Sequence, residues 1–223
     1  IRAYADPLQE KAGFLVLSGN LFEGALIKTC VISENFRERY LSTPGEEDCF
    51  KARAVVFEGP EDYHERIDDP SLGIDESCLL VVRGCGPVGY PGSAEVVNMQ
   101  PPASLIKDGI RTLPTMGDGR QSGTAASPSI LNISPESAVG GNLALLETDD
   151  EIKVDLNTCQ VNLLVTNEEL KRRREAYKPE DIQHQTPWQE MYRGHVGQLA
   201  TGGCLELATN YHCVSDCIPR HNH

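Results

Sequence analysis

An α+β fold, mostly β and wrapped into a barrel or sandwich, is what these 223 residues predict. Short apolar runs bounded by glycine, proline and small polar residues recur along most of the chain, as they do where strands are short. Helix-start signals are few and gather late. No sequence repeat and no low-complexity tract is present, so a solenoid is excluded and one core has to be built from short strands and a few helices.

Taken in order, residues 1–12 read as an irregular lead-in. Gly13 to Leu17 is a short strand of the buried type, stopped by Ser18-Gly19-Asn20. Leu21 to Ile32 is apolar and fits either strand or helix, whereas Arg37 to Cys49 is polar with a loop at Pro44-Gly45. Ala54 to Phe57 is a second strand. Pro60 to Asp68 suits a short helix, with proline in the first turn and acids where the helix dipole favours them. Asp69 to Glu76 is a turn region, and Leu79 to Arg83 is a third strand. Pro101 to Asp108 reads as a short helix and Ile110 to Met116 as a fourth strand. Ser134-Pro135-Glu136 has the form of a helix start. Leu143 to Leu146 and Ile152 to Leu156 read as a hairpin across Thr148-Asp149-Asp150, and Val161 to Val165 as a further strand. Asn167-Glu168-Glu169 opens a helix that ends in the bases Lys171 to Arg174. Thr186-Pro187-Trp188-Gln189 is a capping box for a last helix to about Ala200, followed by a tail.

Composition narrows the function classes. Apolar residues make up 39% and charged residues 24%, ordinary for a soluble globular domain. A net charge of −13 argues against nucleic acid as a partner. The longest apolar runs, such as Leu79 to Val82, are far too short to span a bilayer. No secretory leader is visible, which with the cysteine usage predicts a reducing, cytoplasmic setting. The first residue is Ile1 rather than Met, as in a processed product or one part of a longer polypeptide. The eight cysteines are too sparse for a disulfide scaffold and read mostly as small buried hydrophobes. Cys213, Cys217, His221 and His223 differ, since C-x3-C-x3-H-x-H offers four zinc ligands.

Two glycine-rich turns carry the chemistry. Gly89-Tyr90-Pro91-Gly92-Ser93-Ala94-Glu95 follows the third strand, and Met116-Gly117-Asp118-Gly119-Arg120-Gln121-Ser122-Gly123-Thr124 ends the fourth. Glycine lets a backbone approach a ligand closely, and each turn holds one reactive group, the Glu95 carboxylate and the Ser122 hydroxyl. Gly84-Cys85-Gly86-Pro87-Val88-Gly89 spells G-x-G-x-x-G, but Pro87 and Pro91 block the helix a dinucleotide fold needs there. Ser122 lacks the glycine spacing of a nucleophile elbow. His64, His184 and His195 stand alone and read as satisfied or surface positions.

Asp118 to Thr124 followed by Ser134-Pro135-Glu136-Ser137-Ala138-Val139-Gly140-Gly141 resembles the C-terminal domain of the dihydroxy-acid and phosphogluconate dehydratase family. Gly19-Asn20-Leu21, Lys28 and the run Arg83 to Glu95 fit the same pattern, so the likeness spans residues 13–175 in order. Gln121 and Thr124 depart from the amino-acid-pathway members, where Phe and Gly are usual. The turn from Tyr90 to Glu95 and the ending Pro219 to His223 are similar to the sugar-acid branch, the arabinonate and xylonate type.

The resemblance implies a barrel-like domain of the swivelling β/β/α type over 1–180, with a C-terminal helix and tail over 181–223 packed on it. It implies loss of water from a 2,3-dihydroxy acid to give a 2-keto-3-deoxy acid. Ser122 would take the C2 proton, Glu95 would bind Mg²⁺, and Thr124 and His223 would contact the sugar hydroxyls. A [2Fe-2S] cluster would take its ligands from outside this chain, on a missing N-terminal domain, within a homo-oligomer. None of the eight cysteines is then a cluster ligand, and the 223 residues alone have no activity. The alternative is a non-catalytic binding or interaction domain with the zinc-binding Cys/His tail.

Overall fold

The structure is a computed structural model that describes residues 5–6, 13–92, 98–121, 129–179 and 186–210. Its strands are β1 (Phe14–Leu17), β2 (Gly24–Lys28), β3 (Cys49–Glu58), β4 (Cys78–Arg83), β5 (Thr115–Gly117), β6 (Ser129–Ser134), β7 (Glu151–Asp155) and β8 (Gln160–Leu163). Its helices are α1 (Glu34–Tyr40), α2 (Gly59–Arg66), α3 (Ala103–Lys107), α4 (Asn167–Ala176) and α5 (Pro187–Arg193). The strands form one eight-stranded mixed sheet in the order β1-β2-β6-β5-β4-β3-β7-β8. The four central strands, β6, β5, β4 and β3, run parallel, and the flanking pairs are antiparallel.

The two ends of the sheet nearly meet, giving the barrel form. Ser18 bridges to Gln160, with Ser18 N donating to Cys159 O at 3.0 Å and Val161 N to Ser18 O at 2.8 Å. Glycine is required at the join, because a Cβ on Gly19 would lie 1.8 Å from the carbonyl oxygen of Val161.

β4 and residues 54–57 of β3 are covered on both faces, which explains why these stretches run apolar without alternation. Leu79 and Val81 point into the barrel with Ala54, Val56, Met116, Ile130, Ile152 and Val161. Val55, Phe57, Leu80 and Val82 point outward, into a second cluster with Tyr63 of α2, Met99 and Leu113. Each fully buried aliphatic chain contributes about 1.5–3 kcal/mol. Leu79→Ala in such a packed interior costs roughly 2–5 kcal/mol.

Several expectations need correction. β1 is half-exposed rather than buried, with Val16 67% accessible. Asn142–Leu145 is a 3₁₀ turn, and the hairpin joins β7 to β8 instead, with Asp155 opposite Gln160. The fourth strand shortens to Thr115–Gly117, since Pro114 precedes it and has no N–H for the ladder. Ser134 ends a strand, β6, rather than capping a helix; only the 3₁₀ turn Ser137–Val139 follows. α1, which no helix signal was read for, starts before the polar stretch Arg37 to Cys49 and runs into it, its first turn capped by the Ser33 hydroxyl accepting from Phe36 N at 3.2 Å. α5 has the expected capping box on Thr186 and Gln189 but ends at Arg193.

Candidate active site

Parallel strands β4, β5 and β6 all end at the same edge of the sheet, the edge where open parallel sheets place ligands. β4 runs into the turn Gly84–Gly92, β5 into Asp118–Gln121, and β6 into Pro135-Glu136-Ser137. Two buried carboxylates lock these three exits together. Asp118 is fully buried. It accepts from Cys85 N at 2.9 Å, Gly84 N at 3.1 Å, Ser137 N at 2.9 Å and the Ser137 hydroxyl at 2.6 Å. Charge-assisted contacts of this kind are among the stronger ones a protein makes.

Glu136 is the second lock, also fully buried. It accepts from Gly89 N at 2.8 Å, Val88 N at 3.1 Å and Gln198 Nε2 at 2.9 Å. Burial pushes its pKa above the ordinary carboxylate value, against the pull of these donors, and the nearby Asp118 charge adds to the rise. The carboxylate lies so close to the turn that a Cβ on Gly86 would be 2.3 Å from Oε2. Gly86 of the rejected dinucleotide motif is therefore there to admit the acid that follows β6. Cys85, buried in the same turn, has its thiol pKa raised by burial and by Asp118, Glu61 and Glu136, so it stays a thiol.

The segment holding Ser122 is anchored at both ends. The hydroxyls of Thr115 and Ser129 lie 2.6 Å apart, and the Thr115 hydroxyl also reaches Gln121 Oε1 at 3.3 Å. Gln121 Nε2 is buried with no hydrogen-bond partner among the described residues. A bulge in β6 completes the anchor: Gly24 faces Ser134 while Leu26 faces Leu131, which leaves one extra residue on β6. Asn132, at φ 58°, sits within that stretch, and its N–H reaches Gly119 O at 3.1 Å.

The chain after α5 clasps the same edge. Arg193 Nε donates to Val88 O at 2.8 Å, Glu136 N donates to Gln198 Oε1 at 2.8 Å, and Ala200 N donates to Ser134 Oγ at 3.1 Å.

Glu95, Ser122, Thr124 and His223 themselves lie outside the described residues, as do Cys213, Cys217 and His221. What the structure describes is their footing: Gly92 and Asn98 on either side of Glu95, Gln121 and Ser129 on either side of Ser122. Among the described residues no three His, Cys, Asp or Glu gather as a metal-ligand set. Asp118 and Glu136 are already taken by N–H and O–H donors, so they act as locks. Neither was singled out from the sequence, where an acid beside a glycine turn reads as solvated. The only signal was that Asp118 directly follows a strand-like run; Glu136 gave none, because the strand before it was read as a helix start.

The chain matches, over residues 1–203, the family described as dihydroxy-acid/6-phosphogluconate dehydratase, C-terminal. It is 60% identical over 220 residues to D-xylonate dehydratase of Caulobacter vibrioides, an alignment covering 99% of this chain and 37% of that protein. It is 36% identical over 217 residues to L-arabinonate dehydratase of Rhizobium leguminosarum bv. trifolii, covering 97% and 35%. A dihydroxy-acid dehydratase of Clostridium beijerinckii is 31% identical over 210 residues, covering 93% and 35%. The chain thus spans little more than a third of the length of the curated relatives it matches.

Proposed function

This chain belongs to the dihydroxy-acid/6-phosphogluconate dehydratase family, in its C-terminal part, and from that premise we propose that it is the C-terminal portion of a hydro-lyase that dehydrates a sugar acid. The observation that supports the reading best is the shared footing of the two reactive turns. Adjacent parallel strands deliver both to one edge, and Asp118 bonds the root of one to the root of the other. The division into a barrel over 1–180 and a packed helix and tail over 181–223 is part of the same proposal, as are a homo-oligomer and a reducing cytoplasmic compartment. The six described cysteines are all free, which fits that compartment. No helix among the described residues is long and apolar enough to cross a membrane. The zinc-tail alternative is not favoured by the three relatives named above, each of them a dehydratase.

In the proposed reaction Ser122 removes the proton at C2 while the C3–O bond breaks. The hydroxyl leaves with a proton as water, and the resulting enol becomes the 2-keto-3-deoxy acid. A neutral serine is far too weak a base, so the hydroxyl must act as an alkoxide held by nearby positive charge and backbone N–H groups, which glycine-flanked turns supply. Glu95 offers a hard carboxylate suited to Mg²⁺. Thr124 and His223 orient the sugar hydroxyls. When bound, Mg²⁺ and a [2Fe-2S] cluster supply the Lewis acidity of the elimination. Apart from Glu95, their ligands come from outside this chain, on an N-terminal domain.

The test uses the full-length polypeptide with a panel of sugar acids, D-xylonate and L-arabinonate first, read as 2-keto acid formed. Ser122→Ala should lower kcat by about 10²–10⁴-fold, the range for loss of a proton-transfer group, with iron and magnesium content unchanged. The 223-residue chain alone should give no turnover. Full activity in Ser122→Ala, or turnover by the isolated chain, contradicts the proposal.

A further inference from the structure

α5 carries Trp188, Met191 and Tyr192, and His195 follows just past its end, at the i, i+3, i+4, i+7 spacing that aligns one helix face. A helix of seven residues has little stability of its own and is held by what its apolar face packs against. Yet no residue of α5 is buried, and Trp188 is 76% and Met191 55% exposed. With Leu205 and Leu207, also exposed, they line a groove of about 470 Å³ whose other wall is Pro91–Gly92. Among the described residues no Asp, Glu, Lys or Arg lines it, although 24% of the chain is charged. Such a surface suits an apolar protein face.

We infer that this groove is the seat of the upstream part of the complete polypeptide, a step that rests on the function proposed above. Two observations and the covalent tether favour that occupant. The relatives are nearly three times as long as the matched stretch, so a large body has to sit against this domain. Pro91–Gly92, one wall of the groove, leads directly into residues 93–97, so in the proposed function the groove adjoins the turn whose Glu95 shares a metal with that body. A tethered surface is also present at high effective concentration, and it reaches an exposed face before a free second copy does. The docked face connects mechanically to the site: Arg193, at the end of α5, holds Val88 O, and Gln198 holds Glu136. Docking on α5 thus steadies the turn that leads to Glu95.

Trp188→p-benzoylphenylalanine in the full-length polypeptide, irradiated and mapped by peptide mass spectrometry, tests the inference, with the same probe at Leu207 as a second position. The expected product is a cross-link to peptides upstream of Ile1 within one chain, shown by mixing isotope-labelled and unlabelled copies. Cross-links between copies, to residues 211–223, or to no peptide at all would overturn it. Sugar-acid turnover measured on the same preparation separates the two claims. An inactive protein with the upstream cross-link keeps the docking face and loses the proposed function; an active one cross-linked elsewhere does the reverse.

Discussion

Asp118 accepts four hydrogen bonds from two separate segments while fully buried. Asp118→Asn keeps the shape but turns an NH₂ toward N–H donors, so buried donors lose their acceptor. We expect a loss of about 3 kcal/mol in urea unfolding; a change below about 0.5 kcal/mol would show that Asp118 does not hold the turns. Glu136 makes a prediction in pH. Burial raises its pKa, so the fold favours the protonated acid. Its contribution is complete below the unfolded value of 4.5 and declines as pH rises through the raised native value. Unfolding of Glu136→Gln across this range should lose that decline; an unchanged slope would assign it to another group.

Among the elements, α4 is fixed to the barrel by charge. Its first-turn acid Glu169 and Arg173 are paired at 2.8 Å, and Arg173 reaches Asp150 at 2.6 Å and the Leu145 carbonyl at 3.0 Å. Arg173 and Asp150 are both largely buried, so Arg173→Ala strands a carboxylate and should cost about 3–5 kcal/mol in urea at pH 7. Bonds from Arg172 and Arg173 lower the Glu169 pKa from 4.5 to about 2. Stability from that pairing is present above 4.5 and lost as pH falls toward 2, and the acid-side drop should shrink in the variant. How far such elements could be read from the sequence depended on what specifies them. β3, β4, α2 and the α5 capping box are set by local signals, and each was legible. β6 was not, because Ser129, Asn132 and Ser134 interrupt its apolar residues and a bulge at Asn132 breaks the alternation. The hairpin was misplaced because Leu143 to Leu146 are apolar for the sake of the core, not of a strand. At the site, the turns announced themselves through glycine, while the locks of Asp118 and Glu136 depend on partners 19 to 62 residues away.

For the whole molecule, the parallel core of an eight-stranded, nearly closed sheet sends its loops out at one edge, and a clasp from the C-terminal segment holds that edge together. A chain of net charge −13 repels an anionic substrate, so cations have to be present where a sugar acid binds. The proposed division of labour follows: this chain contributes a base, one carboxylate and the footing for both, and the remaining ligands come from elsewhere in the polypeptide. A crystal structure of the full-length protein with a non-reacting sugar-acid analogue tests this most directly. The account predicts Ser122 Oγ about 3–3.5 Å from C2 of the ligand, with Glu95 on a divalent ion that touches the same molecule. Ser122 and Glu95 on opposite sides of the domain, with the analogue bound away from both, would contradict it.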